Sequence, residues 1–508
     1  MTRATRPLRW LPALAGGAYV ATVVVLGPEI VRAIQWNTDI SAPLALAERL
    51  RGSGPVSIPH FGTWTTYWFL LATRGLPWHA ELWEAIGYAF AVVAALLLAW
   101  GTARVAGRWA GMTAGGAALL VGPFALRPLL TIVYHVTNPF TAAVLAAYLV
   151  LLTRTRSLVL AVGVGLLAGA NAASDPLLWV AGIAPFAVAA VLLARLTRSS
   201  AIALRAAVTL GVTIASAVAT TLVMHGLGYR VVDLDIRLAS LRDLPSRVLH
   251  LGRMVALLGG ANYSYEPGYP AEPLRAIVAV LVLAAIAAPV VAALKSLRRR
   301  DNPTHRAFAC YWGAATLLLC LAFVVTPNAV DLGPPSTYYL LTLALAAGAG
   351  VALLAAGSAR AQVAAGLAVA LVGAVNVAGI ANGRVGGLPP LATYKQQLIE
   401  VLERNGVRRG YAGYWDAQNL SWQTRMRLLV APVTRCTPTQ LCPYNFFTIR
   451  SWYVPHAGPS FLLLDDTYRV IAGAPPFVRK ATGSYRFGPL TLYLFDYDIA
   501  RHVRLPST

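Results

Sequence analysis

Acidic residues are scarce in this chain: 20 Asp and Glu stand against 42 Lys and Arg in 508 residues, and only 12% of positions carry charge. A soluble domain carries about 25% charged residues, so the shortfall excludes an ordinary soluble enzyme. Catalytic signatures are missing as well. There is no Gly-x-x-x-x-Gly-Lys-Ser/Thr loop, no His-Glu-x-x-His and no Gly-x-Ser-x-Gly, which argues against an ATP-driven pump and leaves no familiar hydrolase. Internal repeats and low-complexity linkers are absent too, and cysteines number only 4.

What the chain has instead is apolar surface. Hydrophobic residues make up 57% of it, and the mean hydropathy is +0.61. A helix crosses a bilayer with about 20 apolar residues, and runs of that kind fall at 10–34, 84–101, 109–126, 129–152, 158–171, 176–193, 206–224, 274–294, 307–325, 338–356 and 362–380, about eleven in all. Arg3, Arg6 and Arg9 before the first run imitate a signal peptide. The run is longer than a signal core of about 7–15 residues, so it reads as a retained span. A polytopic α-helical membrane protein is the expected fold class.

The net charge of +22 would suggest nucleic acid were it not so unevenly placed. Alternate connections hold sixteen basic residues, among them Arg104, Arg154, Arg195 and the 295–300 cluster, and a single acid, Asp301. The opposite short connections carry Asp175, Asp331 and Arg127 alone. Positive charge marks the cytoplasmic side, so the N-terminus is expected in the cytoplasm and the C-terminus outside, in a multi-pass protein of the plasma membrane. Basicity thus records topology, and no nucleic-acid partner is expected.

Three non-membrane regions follow, all assigned to the outer face. Within the 1–381 membrane domain, the first outer loop, 35–83, is rich in aromatics such as Trp64, Trp68 and Trp78 and holds helical spacing from Ser41 and Pro43, read as a helix lying flat on the membrane. The second, 226–273, carries an amphipathic 241–257 stretch. The third, 382–508, has soluble composition, a helix expected over 391–405 and strands over 461–465 and 490–495, which make an exported α/β domain. Cys436 and Cys442 lie close together there, and an oxidising compartment permits a disulfide between them.

One span, then Asp39 in Trp36-Asn37-Thr38-Asp39-Ile40-Ser41, then a long aromatic outer loop, many spans and an exported domain: this order resembles the GT-C superfamily of membrane glycosyltransferases that use polyprenyl-phosphate sugars. That superfamily includes protein O-mannosyltransferases and lipid A aminoarabinose transferases. The segment Gly410-Tyr-Ala-Gly-Tyr414-Trp415-Asp416-Ala-Gln-Asn419-Leu-Ser-Trp422 is similar to a Tyr-Trp segment in exported domains of such bacterial proteins. Asp39 lacks the adjacent second acid that many relatives have, and Thr337-Tyr338-Tyr339 stands where many carry Arg-Tyr. The resemblance implies Asp39 as the base that takes an acceptor hydroxyl proton. Read without it, an acid just before Ser41 and Pro43 is a helix cap or a solvated loop acid.

Other candidates surround this one. His60 in the first outer loop can donate to phosphate or position Asp39, or is an ordinary interfacial histidine. Arg127 can hold a phosphate or snorkel, and Tyr338 occupies the phosphate-binding position by resemblance. His135 and Asn138 line a cavity or pair with each other between helices. Asp233-Leu-Asp235 matches a metal-binding pattern but reads equally as an alternating strand, and Asp175 before Pro176 reads as a cap for the next span. Neither a metal nor another cofactor is called for. The expected function is inverting transfer of a sugar from a polyprenyl-phosphate donor to an envelope glycan, lipid or protein acceptor. The alternatives are a secondary transporter or flippase of envelope precursors and a non-catalytic envelope-assembly protein.

Overall fold

The computed structural model of the chain describes residues 7–34, 36, 38–49, 56–58, 79–131, 133–226, 229–231, 238–261, 272–299, 301–326, 334–382, 389–444, 447–466 and 473–505. Sixteen α-helices are labelled in chain order. The first eight are α1 (Leu11–Ile34), α2 (Thr38–Arg49), α3 (His79–Ala106), α4 (Arg108–Leu119), α5 (Pro123–Thr131), α6 (Val133–Leu151), α7 (Leu158–Ser174) and α8 (Ala184–Thr197). Then come α9 (Ser200–Gly226), α10 (Leu244–Leu258), α11 (Glu272–Arg298), α12 (Pro303–Val325), α13 (Leu341–Ala355), α14 (Ala359–Ala381), α15 (Pro389–Arg404) and α16 (Tyr414–Gln423).

The helices resolve into two compact units that are discontinuous in sequence. The first comprises Met1–Pro28, Glu84–Leu222 and Asp235–Val385. Among the described residues, eight helices are long and apolar enough to cross a membrane, and the chain is a multi-pass membrane protein. Two of the expected spans are shorter apolar helices, Val136–Leu151 and Leu158–Ser174. The run expected as one span over 109–126 is α4 and α5, bent by 87°. Pro123 cannot donate to a preceding turn and pushes Gly122 out of the helical region. Gly122 N–H instead meets the Leu258 carbonyl at 2.6 Å, at the end of α10.

Small residues bring these helices together. A Cβ on Gly348 of α13 would lie 2.6 Å from the Ala114 carbonyl oxygen of α4, so only glycine allows the observed approach. Tyr311 of α12 is fully buried and donates its hydroxyl to the Ala142 carbonyl of α6 at 2.7 Å. Ser157, Asn302 and Ser358 cap α7, α12 and α14 at the turns rich in Arg and Lys.

The second unit comprises Glu29–Trp83, Val223–Leu234 and Gly386–Thr508. Among the described residues its strands are β1 (Val56–Ile58), β2 (Tyr229–Val231), β3 (Arg409–Ala412), β4 (Leu429–Arg435), β5 (Leu441–Pro443), β6 (Thr448–Ile449), β7 (Ser460–Asp465), β8 (Gly483–Phe487) and β9 (Leu490–Phe495). Six form one sheet in the order β5-β4-β3-β7-β9-β8, with β4, β3 and β7 parallel. The crossover from β3 to β4 is α16. Leu398 and Leu402 of α15 bury against Leu420, Phe461 and Leu492 to form this unit's core. Cys436 and Cys442 are joined by a disulfide across the β4–β5 turn, with Cα atoms 5.6 Å apart. A second, three-stranded sheet, β2-β1-β6, draws its strands from three distant stretches of the chain: Val56 pairs with both Tyr229 and Ile449.

α2 departs from the expected helix in two respects. It starts at Thr38 and not at Ser41, so Asp39 is its second residue and Pro43 is internal. It is also covered by protein: Thr38, Ser41, Ala42, Leu44 and Ala45 are wholly buried, and the helix packs on α16. The face made by these residues is therefore turned to protein.

Candidate functional site

Asp39 occupies the first turn of α2. Its side chain lies outside the described residues, as do the side chain of His135 and the whole of His60, Asp233 and Asp235. What the structure does place is the frame of α2. Pro43, four residues on, has no N–H to give the Asp39 carbonyl, so the helix ladder is open at that point. Thr38, immediately before Asp39, accepts a hydrogen bond at 3.0 Å from the Asn419 amide of α16.

The membrane unit brings together two of the candidates for holding a phosphate. Phe124 and Arg127 both lie on α5, and the Arg127 guanidinium sits over the Phe124 ring at 5.0 Å. On its other partner the same ring stacks with Tyr338 at 5.8 Å. Arg127 and Tyr338 therefore share one aromatic, although they stand far apart in sequence. Tyr338 belongs to the 3-10 turn Pro334–Leu340, which docks along α10. There His250 Nε2 lies 3.3 Å from Ser336 Oγ, and the Thr337 hydroxyl meets Met254 Sδ at 3.4 Å.

α10 supplies cations that were not singled out from the sequence. Arg247 is buried and donates to the Thr326 carbonyl at 2.7 Å, whereas Arg253, one turn and a half on, is exposed. The amphipathic 241–257 pattern was the available signal. It marked the helix but did not show that α5 and the 334–340 turn meet it. An aliphatic cavity of ≈ 430 Å³ opens beyond the last turn of α10, lined by Leu258, Gly259, Val282, Gly348, Val351 and Val369 among others.

Asn138 is committed elsewhere. Its amide donates at 2.6 Å to Asp175 Oδ2, and Asp175 Oδ1 accepts from the Leu177 N–H at 3.0 Å, so Asp175 caps the turn into the next helix while binding α6. Asn171 makes a parallel bond to Thr141 at 2.5 Å. These two bonds join α6 to α7 and the turn after it. Trp415 and Tyr414 meet edge to face at 5.1 Å, and Asp416 is buried in an ion pair with Lys395 at 2.9 Å. Among the described residues no three His, Cys, Asp or Glu side chains group closely enough to hold a metal ion.

No protein-family model matches the chain, and no curated protein matches it in sequence. Solved structures do match in fold. The oligosaccharyltransferase of Archaeoglobus fulgidus, in complex with Zn and sulfate, is 12% identical with a TM-score of 0.54, over 96% of this chain and 73% of that one. The apo form of the same enzyme is 13% identical with a TM-score of 0.50, over 94% and 72%. ArnT from Cupriavidus metallidurans in the apo state is 13% identical with a TM-score of 0.41, over 97% and 99%.

Proposed function

We propose that this chain, a multi-pass membrane protein with the GT-C fold of the Archaeoglobus fulgidus oligosaccharyltransferase, is an inverting glycosyltransferase that takes its sugar from a polyprenyl phosphate. The observation that carries the reading is the grouping of Arg127, Phe124 and Tyr338 against α10, the helix whose last turn also lines an aliphatic cavity. A charged head with a long apolar tail is the ligand chemistry that such a pairing suits. A guanidinium and a phenol are groups that donate to phosphate, and an aliphatic cavity accepts isoprenoid methyl groups at about 0.8 kcal/mol per buried methylene.

In the proposed reaction Asp39 takes the proton of an acceptor hydroxyl. The hydroxyl oxygen attacks the anomeric carbon, the bond from that carbon to the phosphate oxygen breaks, and polyprenyl phosphate leaves with the electron pair. Asn138, bound to Asp175, serves helix packing in this scheme. The uneven basic residues support an active face on the outside of the plasma membrane, where the acceptor is an envelope glycan, lipid or protein.

The test is Asp39→Asn in the full-length protein. The change is nearly isosteric, so insertion and thermal stability are expected to stay as in the wild type. Release of polyprenyl phosphate from sugar-loaded donor is expected to fall by about 10²–10⁴-fold, the usual contribution of a positioned base. Full activity in the mutant would remove Asp39 from the mechanism. Transport of the intact lipid-linked sugar without its cleavage would favour a flippase.

A further inference from the structure

A buried polar contact to the segment carrying Asp39 comes from α16, near the other end of the chain. Asn419 is fully buried, and its amide gives one hydrogen bond to its own helix at the Trp415 carbonyl, 2.6 Å, and one to Thr38 Oγ1, 3.0 Å. The two residues are 381 positions apart. Both amide hydrogens of Asn419 are thereby spent, and its carbonyl oxygen is buried with no partner among the described residues.

α16 itself is fixed from several sides. Lys395 of α15 reaches Asp416 at 2.9 Å, with both side chains 1% exposed. Gln418 donates to the Phe447 carbonyl at 2.8 Å, and Ser421 Oγ accepts from the Val430 N–H at 3.0 Å at the start of β4. The first turn of α2 therefore rests on a platform whose own position is over-determined. Beyond α2 the chain is caught again, where Ser57 of β1 pairs with Thr448 of β6. Functional groups work when their supports are locked by packing and further hydrogen bonds, and this is such a support.

We propose that the C-terminal domain sets the position of the reactive acid: Asn419, through Thr38, is a positioning residue for Asp39. The inference rests on the assignment of Asp39 as the base. Removing either partner strands the buried polar atom that the other presented to it and frees the first turn of α2, where Pro43 has already removed one helix hydrogen bond.

Asn419→Ala, Thr38→Val, the pair together and the conservative Thr38→Ser are made in the full-length protein. Hydrogen exchange of α2 is read first. It is expected to quicken by about tenfold in Asn419→Ala and Thr38→Val, with the amides of β7 and β9 unchanged. Transfer is read with undecaprenyl-phosphate mannose and undecaprenyl-phosphate arabinose as the donor probes. kcat is expected to fall by about tenfold to a hundredfold, KM for the donor to move by less than about twofold, and the double variant to match the singles. Thr38→Ser, which keeps the hydroxyl, is expected to restore kcat. Unchanged exchange of α2 in Asn419→Ala, or losses that add in the double variant, would overturn the proposal. Should the wild type consume neither donor while α2 exchange responds as expected, the anchoring stands and the assigned reaction falls.

Discussion

The Lys395–Asp416 pair makes a quantitative test of what holds α16 in place. Both charges are 1% exposed and 2.9 Å apart. Removing one partner strands the other in the interior. After Asp416→Leu, the Lys395 ammonium keeps, among the described residues, a bond to the Trp415 carbonyl at 3.5 Å, too long to replace the carboxylate. Breaking a buried pair in this way costs about 3–5 kcal/mol, whereas exchanging both members for apolar residues of similar size is often neutral or stabilising. Asp416→Leu and Lys395→Met are each expected to lower the unfolding free energy of the domain by about 3–5 kcal/mol, and the double variant to recover most of it. The internal comparison is Arg486–Asp466, at a similar 3.1 Å but with side chains 71% and 63% exposed. Water screens that pair, so Arg486→Met should cost within about 1 kcal/mol. The assay is urea unfolding of the detergent-solubilised chain, followed by pulse proteolysis at sites in the C-terminal domain. Single variants at Lys395 and Asp416 no worse than Arg486→Met would refute the argument that burial, and not the charge pairing itself, decides the cost.

Two further outcomes are expected of the same domain. Replacing Cys436 and Cys442 by Ser opens a turn with a sequence separation of 6; chain entropy assigns about 2 kcal/mol to so short a loop, read as a lower urea midpoint that equals the midpoint of reduced wild type. His502 stacks on Phe477 at 4.2 Å, and burial together with Arg501 and Lys480 holds its pKa below the ordinary histidine value. The folded form thus binds fewer protons than the unfolded one, so its contribution to stability is complete above about pH 6.5 and is lost as pH falls through the depressed value; His502→Gln should flatten that acid-side slope, and an unchanged slope would assign it to other groups.

Much of the membrane fold was legible because lipid imposes one requirement, long apolar helices, that a run of residues states directly. The C-terminal helix expected over 391–405 is Pro389–Arg404, and the expected strands 461–465 and 490–495 are Ser460–Asp465 and Leu490–Phe495. The break between α4 and α5 was not read, since hydropathy over 109–126 averages across Gly122-Pro123. Strands of two and three residues such as β6 and β1 are too short for an alternating pattern to register. Arg127 and Tyr338 were visible as candidates singly, but Phe124, the ring between them, carried no charge or motif to mark it.

The division of the chain into two discontinuous units follows from the same physics. Stretches such as 38–49 and 56–58 leave the apolar helices with too few residues to bury a core of their own, and small chains bury too little surface to hold a unique fold. Their backbone groups still need partners once water is excluded. The C-terminal sheet domain supplies them: β6 offers strand edges to β1, and α16 offers a buried face to α2. Thr38 is accordingly bonded to Asn419, on a helix encoded almost four hundred residues later, and in the proposed scheme that bond holds the first turn of α2 where Asp39 lies. A short helix start without such an anchor would fray, and ordering it costs about 1–2 kcal/mol per residue. The domain meets that cost during its own folding, before any substrate arrives.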